Sequence, residues 1–284
     1  MVARKQNTIE QLNISQDNVS GECNLKCAYS FQYSNSSCVA SNTGESIVLS
    51  YDESNVPPAT YNGNKYKVSN IRITTSTYML YNGKQLRGTL IISHLPVVGG
   101  GPFSVIIPIV SGTGALPSSN ILTTIITETA KLAPKSGNKT SISLANYNLN
   151  NIIPKKPFYS FNLERDDYIV YGVENAIPID ADTLTKLSTI TKGLTSTIPA
   201  NSTSLFYNPK GPTLGGGSSS GNDDIYIDCQ PVNVSEETIQ MSTENKLSMD
   251  YKLKSEYNAR DTLLKIFYNP WFQLLLLILS LIHI

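Results

Sequence analysis

The side chains able to do acid–base, metal or nucleophilic chemistry are few, and that scarcity is the first constraint. Two histidines, His94 and His283, occur in 284 residues. A hydrolytic nucleophile needs a base beside it, and His94 is the one near-neutral base away from the C-terminal end. No serine, histidine and acid spacing accompanies it, and a three-histidine metal site is excluded by count. The four cysteines, Cys23, Cys27, Cys38 and Cys229, include no C-x-x-C pair. A structural zinc site is therefore weakly supported, and one or two disulfides or buried thiols are expected. The glycine-rich stretch 214–224 lacks a strand-to-helix setting and a following lysine, so it reads as a loop and not a phosphate cradle.

Charge offers more. Acidic and basic residues balance at 22 each, which by itself argues against a polyanion partner. Between Lys65 and Lys156, however, ten basic residues meet a single acid, Glu128, while from Pro157 onward fifteen acids outnumber nine bases. Local potential steers partners where net charge does not. Lys65, Lys67, Lys84, Arg87, Lys131, Lys135, Lys139, Lys155 and Lys156 are thus candidate polyanion-binding residues. A solvated surface without a partner is the alternative.

Elements must position these groups, and the composition favours sheet: sixteen tyrosines with many Thr, Ile and Val in short runs. Strands are expected at Ser46–Tyr51, Tyr66–Thr75, Gly88–His94, Phe103–Val110 and Tyr168–Val173. Turn chemistry punctuates them at Asn62-Gly63, Asn82-Gly83, Gly99-Gly100-Gly101 and Gly112-Thr113-Gly114. Helices are expected at Ile121–Leu132 and Ala181–Thr191. Residues 1–45 read as an extended arm or loops. Six glycosylation sequons begin at Asn13, Asn18, Asn35, Asn138, Asn201 and Asn233.

The domain organisation follows from length and tail. A domain over 1–235 precedes a polar stalk over 236–266 and an apolar segment over 267–284. No apolar N-terminal signal is present, so membrane placement falls to the C-terminal segment. Trp271 at its start suits the interfacial belt. About a dozen apolar residues are too few for a span of about 20. The last six, 279–284, match the in-frame translation of a common sequencing-library transposon end. The natural chain is therefore expected to continue past Ile278 as a transmembrane helix.

Eight stretches, in order, resemble the α-carbonic anhydrases. Gln6-Asn7-Thr8-Ile9 resembles the family's Q-S-P-I. Asn42-Thr43-Gly44 with Ile47-Val48-Leu49 resembles N-[NT]-G-H-x-[IV]-x-[VL]. Tyr66–Thr77 is similar to Y-x-L-x-[QS]-[FL]-H-[FI]-H-W-G, and Leu86–Leu95 to A-E-L-H-L-V-H-W. Phe103–Ile109 resembles the L-x-V-[LI]-[AS]-[IV]-F strand, and Leu149–Tyr159 resembles L-L-P-x-x-x-x-Y-Y. Tyr168–Leu187 resembles V-x-W-x-V-[FL]-x-x-P-I-x-[IV]-S-x-x-Q-L, and Asp228–Pro231 resembles the closing R-P-x-Q-P. The fold this implies is mainly β (α+β): a large, mostly antiparallel central sheet with short peripheral helices.

The departures carry the functional expectation. The family holds Zn²⁺ on three imidazoles, two from alternate residues of one strand and one from its neighbour. By the resemblance those positions are Arg72, Thr74 and Ile91. An arginine cannot give up its proton to ligate, and its charge repels the metal. The carboxylate that orients a ligand is replaced by Thr89, and the G-S-L-T-T-P-P-C loop by Ser160–Asp167. His94 matches a family histidine that is not a ligand. The resemblance thus implies no catalysis, no metal and no cofactor, with Arg72 pointing into the former active-site cone.

Non-catalytic members of the family include secreted or receptor-borne recognition domains. One, a poxviral cell-surface-binding envelope protein with a C-terminal anchor, binds host glycosaminoglycan. The expected role here is similar: membrane-anchored binding of a sulfated polysaccharide or a surface protein, at a cell surface or virion envelope, with no nucleic acid partner. A divergent carbonic anhydrase or esterase, and a structural virion membrane protein, are the alternatives.

Overall fold

The computed structural model describes residues 11–23, 26–75, 79–114, 116–144, 147–193, 198–200 and 203–214. In chain order the strands of the first half are β1 (Asn13–Ile14), β2 (Val19–Glu22), β3 (Tyr29–Phe31), β4 (Val39–Asn42), β5 (Ile47–Leu49), β6 (Ala59–Tyr61), β7 (Asn64–Thr74), β8 (Leu80–Tyr81), β9 (Gly88–Pro96) and β10 (Phe103–Ser111). Helix α1 (Pro117–Leu132) is followed by β11 (Lys139–Ser141), β12 (Phe158–Leu163), β13 (Asp166–Val170) and β14 (Ile177–Ile179). Helix α2 (Ala181–Ile190), β15 (Leu205–Asn208) and β16 (Thr213–Leu214) complete them.

Fourteen of these strands form one sheet, with the path β11-β4-β5-β7-β9-β10-β13-β12-β15-β2. Its centre is β9, whose sequence Gly-Thr-Leu-Ile-Ile-Ser-His-Leu-Pro is buried through its first five positions. A strand so continuously apolar must be covered on both faces. Leu90 and Ile92 face the larger apolar cluster with Ile71, Ile73, Phe103 and Val105. Ile91 faces a second cluster with Ile106, Phe161 and Val170. The sheet is mixed: β13 and β14 both pair parallel to β10, and β15 pairs parallel to β2. The mostly antiparallel expectation holds for the central β5-β7-β9-β10 block.

The two helices lie where expected. Asp180 caps α2 through its carboxylate, which accepts from the Thr183 amide at 2.8 Å, and α1 begins at Pro117, four residues before the sequence expectation, because proline suits the first helical position. At Gly88, a Cβ would sit 3.0 Å from Ile109 and 3.3 Å from Leu184; glycine there allows α2 to pack closely on the sheet. Asn62-Gly63 and Asn82-Gly83 both take positive φ, as the predicted hairpin turns require.

The reading of residues 1–45 as an arm or loops is corrected for the described part. Tyr29, Phe31 and Tyr33 are buried core residues, at 3%, 1% and 2% exposure. The alternation of apolar and polar residues over 29–33 was a strand signal masked by flanking Asn, Ser and Cys. Cys23 and Cys27 form a disulfide, and Cys38 is a buried thiol. Among the described residues no helix is long and apolar enough to cross a membrane. The segment 267–284, the stalk 236–266, the domain end at 235, the stretches 6–9 and 228–231, and Cys229 lie outside the described residues.

Candidate functional site

The β7–β9 register sets Arg72 against Ile91 and Thr74 against Thr89. Paired residues point to the same side of a sheet and alternate residues share a face. All four expected positions therefore lie on one face of two adjacent strands. The ladder continues across β10, where Ile106 stands opposite Ile91 and Pro108 opposite Thr89. From there it reaches Val170 on β13 and Tyr159 on β12. In the other direction it runs through Val48 and Ser41 to Lys139. Arg72 thus sits between a partly buried stretch of this row, Val48 and Ser41, and its fully buried apolar side.

The chemistry available on the row is limited. Arg72 is partly buried and donates from Nε to Asn70 Oδ1 at 3.2 Å. Thr74 is fully buried, its hydroxyl donating to the Glu45 carbonyl at 3.4 Å. Thr89 is also fully buried, and among the described residues its hydroxyl has no hydrogen-bond partner. Ile91 is 5% exposed. A zinc ion does not fit this set, since it offers no imidazole, thiolate or carboxylate and places a permanent cation at its edge. Among the described residues no group of three or more His, Cys, Asp or Glu side chains lies within reach of a shared metal.

One row toward the Leu95 end of β9, the same face turns polar. Asn70, Ser93, Ser104 and Tyr168 stand in consecutive register on β7, β9, β10 and β13. Ser104 donates to Ser93 Oγ at 3.1 Å, and Tyr168 stacks on Phe161 with ring centroids 4.8 Å apart. The Tyr168 hydroxyl reaches Asp166 Oδ2 at 3.4 Å. These rows enclose a cavity of about 390 Å³ lined by Arg72, Ile91, Ser93, Ser104, Asp166 and Tyr168, with Ile106 and Ile198 in its walls. Sequence reasoning missed this hydroxyl row. Its signal was Ser93 and Ser104, single polar residues within two strongly apolar strands.

Residues Ser160–Asp167 form most of the β12–β13 hairpin, whose turn at Glu164 takes φ of 56°. Gly101 packs against the Arg165 carbonyl so tightly that any Cβ would clash, which seats this turn at the outer edge of the cavity. Ser160 faces away from it, bonded to the Tyr61 hydroxyl at 2.8 Å.

His94 also faces away from the cavity floor, into the larger core. It is fully buried, stacked on Phe103 with centroids 5.1 Å apart. Its Nδ1 is 3.2 Å from the Phe103 carbonyl, which can only accept, so Nδ1 carries the proton. Its Nε2 then accepts from the Tyr33 hydroxyl at 2.8 Å. Burial pushes the imidazole down to about 4, so it stays neutral.

The nine candidate polyanion-binding residues are all exposed, and among the described residues none forms an ion pair. They do not gather at one point. Lys65 and Lys67 lie at the start of β7, level with Leu95 and Pro96. Arg87 precedes Gly88, at the other end of β9. Lys84 closes the β8 hairpin. Lys131 ends α1, and Lys135 and Lys139 follow it beside the β4–β5 turn. Lys155 and Lys156 flank a separate hollow near Asn175. Lys67 and Arg87 are about 26 Å apart along the ladder, at roughly 3.3 Å per residue.

Comparison with known proteins gives the fold. No family model matches the chain, and no curated protein does. Solved structures do. An α-carbonic anhydrase from Photobacterium profundum is 17% identical at TM-score 0.57, over 71% of this chain and 90% of that one. The enzyme from Thermovibrio ammonificans in complex with sulfanilamide is 13% identical at TM-score 0.56, over 71% and 88%. Dioscorin complexed with ascorbate is 13% identical at TM-score 0.58, over 72% and 87%. The chain has the α-carbonic anhydrase fold, on which this sequence has built a floor of arginine, threonine and isoleucine.

Proposed function

We propose that this chain is a non-catalytic binding protein on an α-carbonic anhydrase scaffold. The observation that carries the reading is Arg72 opposite Ile91, a guanidinium and an aliphatic side chain where the fold's enzymes need imidazoles. The partner is a polyanionic glycan of the sulfated polysaccharide kind, with no nucleic acid partner. Its support is nine exposed basic side chains, none of which forms an ion pair among the described residues. In this proposal the segment 267–284 anchors the protein at a cell surface or virion envelope, the layout of the poxviral envelope protein noted above.

The test is chromatography of the full chain on immobilised heparin at rising salt. Retention in low salt that falls steeply between about 50 and 200 mM supports multi-site counterion release. Absence of retention at low salt overturns the glycan reading.

A further inference from the structure

We infer that the cavity on the sheet face is a second binding site, which takes a hydroxylated organic carboxylate of monosaccharide size, a sugar acid. This goes beyond the exposed lysines: different residues line it, and it binds one small molecule rather than a polymer.

Four features define the ligand. First, Arg72 lines the cavity and, among the described residues, makes one bond, from Nε to Asn70 Oδ1. Among the described residues no carboxylate pairs with it. A partly buried guanidinium without a counter-charge has lost hydration with little in return, and its remaining N–H groups form a fork suited to a carboxylate. Second, Ser93, Ser104 and Tyr168 run as a row of hydroxyls beside it, matching a ligand that carries several hydroxyl groups. Third, Asp166 lies on the far side of that row, a carboxylate acceptor for further hydroxyls and a repulsive neighbour for a second anionic group. The two opposite charges at separate edges select a ligand with one acidic end and one neutral polar end. Fourth, Ile91, Ile106 and Ile198 give an apolar wall, suited to the C–H face of a sugar ring. A volume of about 390 Å³ holds such a ring and lies within the range of ordinary ligand pockets.

The test uses the full chain in mild detergent, with D-glucuronate, its neutral methyl ester and D-glucose as probes in titration calorimetry or saturation-transfer NMR. Glucuronate should bind saturably, at least about tenfold more tightly than ester or glucose, as a charge-assisted bidentate contact requires. Arg72→Met should remove that preference, and Lys135→Glu/Lys139→Glu should leave it unchanged. Equal binding of glucuronate and its ester to the unmodified protein, or no saturable binding of glucuronate, overturns the site; this comparison holds even if Arg72→Met fails to fold. A preference that survives in folded Arg72→Met also overturns it. Loss of heparin retention in Lys135→Glu/Lys139→Glu with intact glucuronate preference separates the two sites.

Discussion

Arg72 stands directly across the β7–β9 ladder from Ile91, so two of the positions that the family resemblance assigns to metal ligands hold a fixed cation and a buried aliphatic chain. The second apolar cluster closes around Ile91, and the nearest polar row is built from hydroxyls. Arg72, Thr74, Thr89 and Ile91 supply no imidazole, thiolate or carboxylate to this floor.

Metal content follows directly. Elemental analysis of the purified protein should find well under one zinc per chain, and carbon dioxide hydration should match buffer. Arg72→His with Thr74→His and Ile91→His should restore some metal binding but little turnover, because Thr89 cannot orient a ligand as a carboxylate would. Stoichiometric zinc in the unmodified protein would sink this account.

Thr89 makes a sharper stability test. Its buried hydroxyl has no partner among the described residues, so it contributes a desolvation cost without a bond. Thr89→Val keeps the shape and strand preference and removes the hydroxyl. Urea unfolding should show unchanged or increased stability, by up to about 1 kcal/mol. A loss of more than that would mean the hydroxyl is bonded in solution.

His94 predicts an acid response. Its folded value, lowered by burial to about 4, lies below the ordinary 6.5. Between these values the unfolded chain binds a proton that the folded chain refuses, so stability rises with pH across this window. The contribution is complete above about pH 6.5 and is lost as pH falls toward 4, on the order of 3 kcal/mol. Comparing His94→Phe with the unmodified protein cancels the carboxylates that titrate nearby. The variant should lack this part of the acid sensitivity; identical pH profiles would refute the prediction.

Charge reversal tests the distributed cations. Replacing Arg87, Lys135 and Lys139 with Glu should weaken heparin retention severalfold while thermal unfolding changes little, since exposed substitutions shift stability by about 0.5 kcal/mol or less. Retention unaffected by the triple reversal, and by the same change at Lys65 and Lys67, would move the partner to another surface.

The fold was legible in the sequence because alternation, β-branched runs and turn dipeptides are local signals. β7, β9, β10 and both helices lie within a few residues of their expected positions. The absence of three histidines needed only a count. Tertiary structure decided the rest. Tyr33 and His94 are 61 residues apart, and only the pairing of β3 with β6, and of β6 and β9 with β7, brings them to 2.8 Å. Ser93, Ser104 and Tyr168 become one row only once β9, β10 and β13 take their register. The basic block, contiguous in sequence, is divided between opposite ends of the same ladder. Local pattern dictates which residues extend and which face is apolar, whereas register is set by the burial of whole faces at once. A slip of one residue would turn every side chain to the other side of the sheet. That collective choice placed Arg72 at the edge of a cavity.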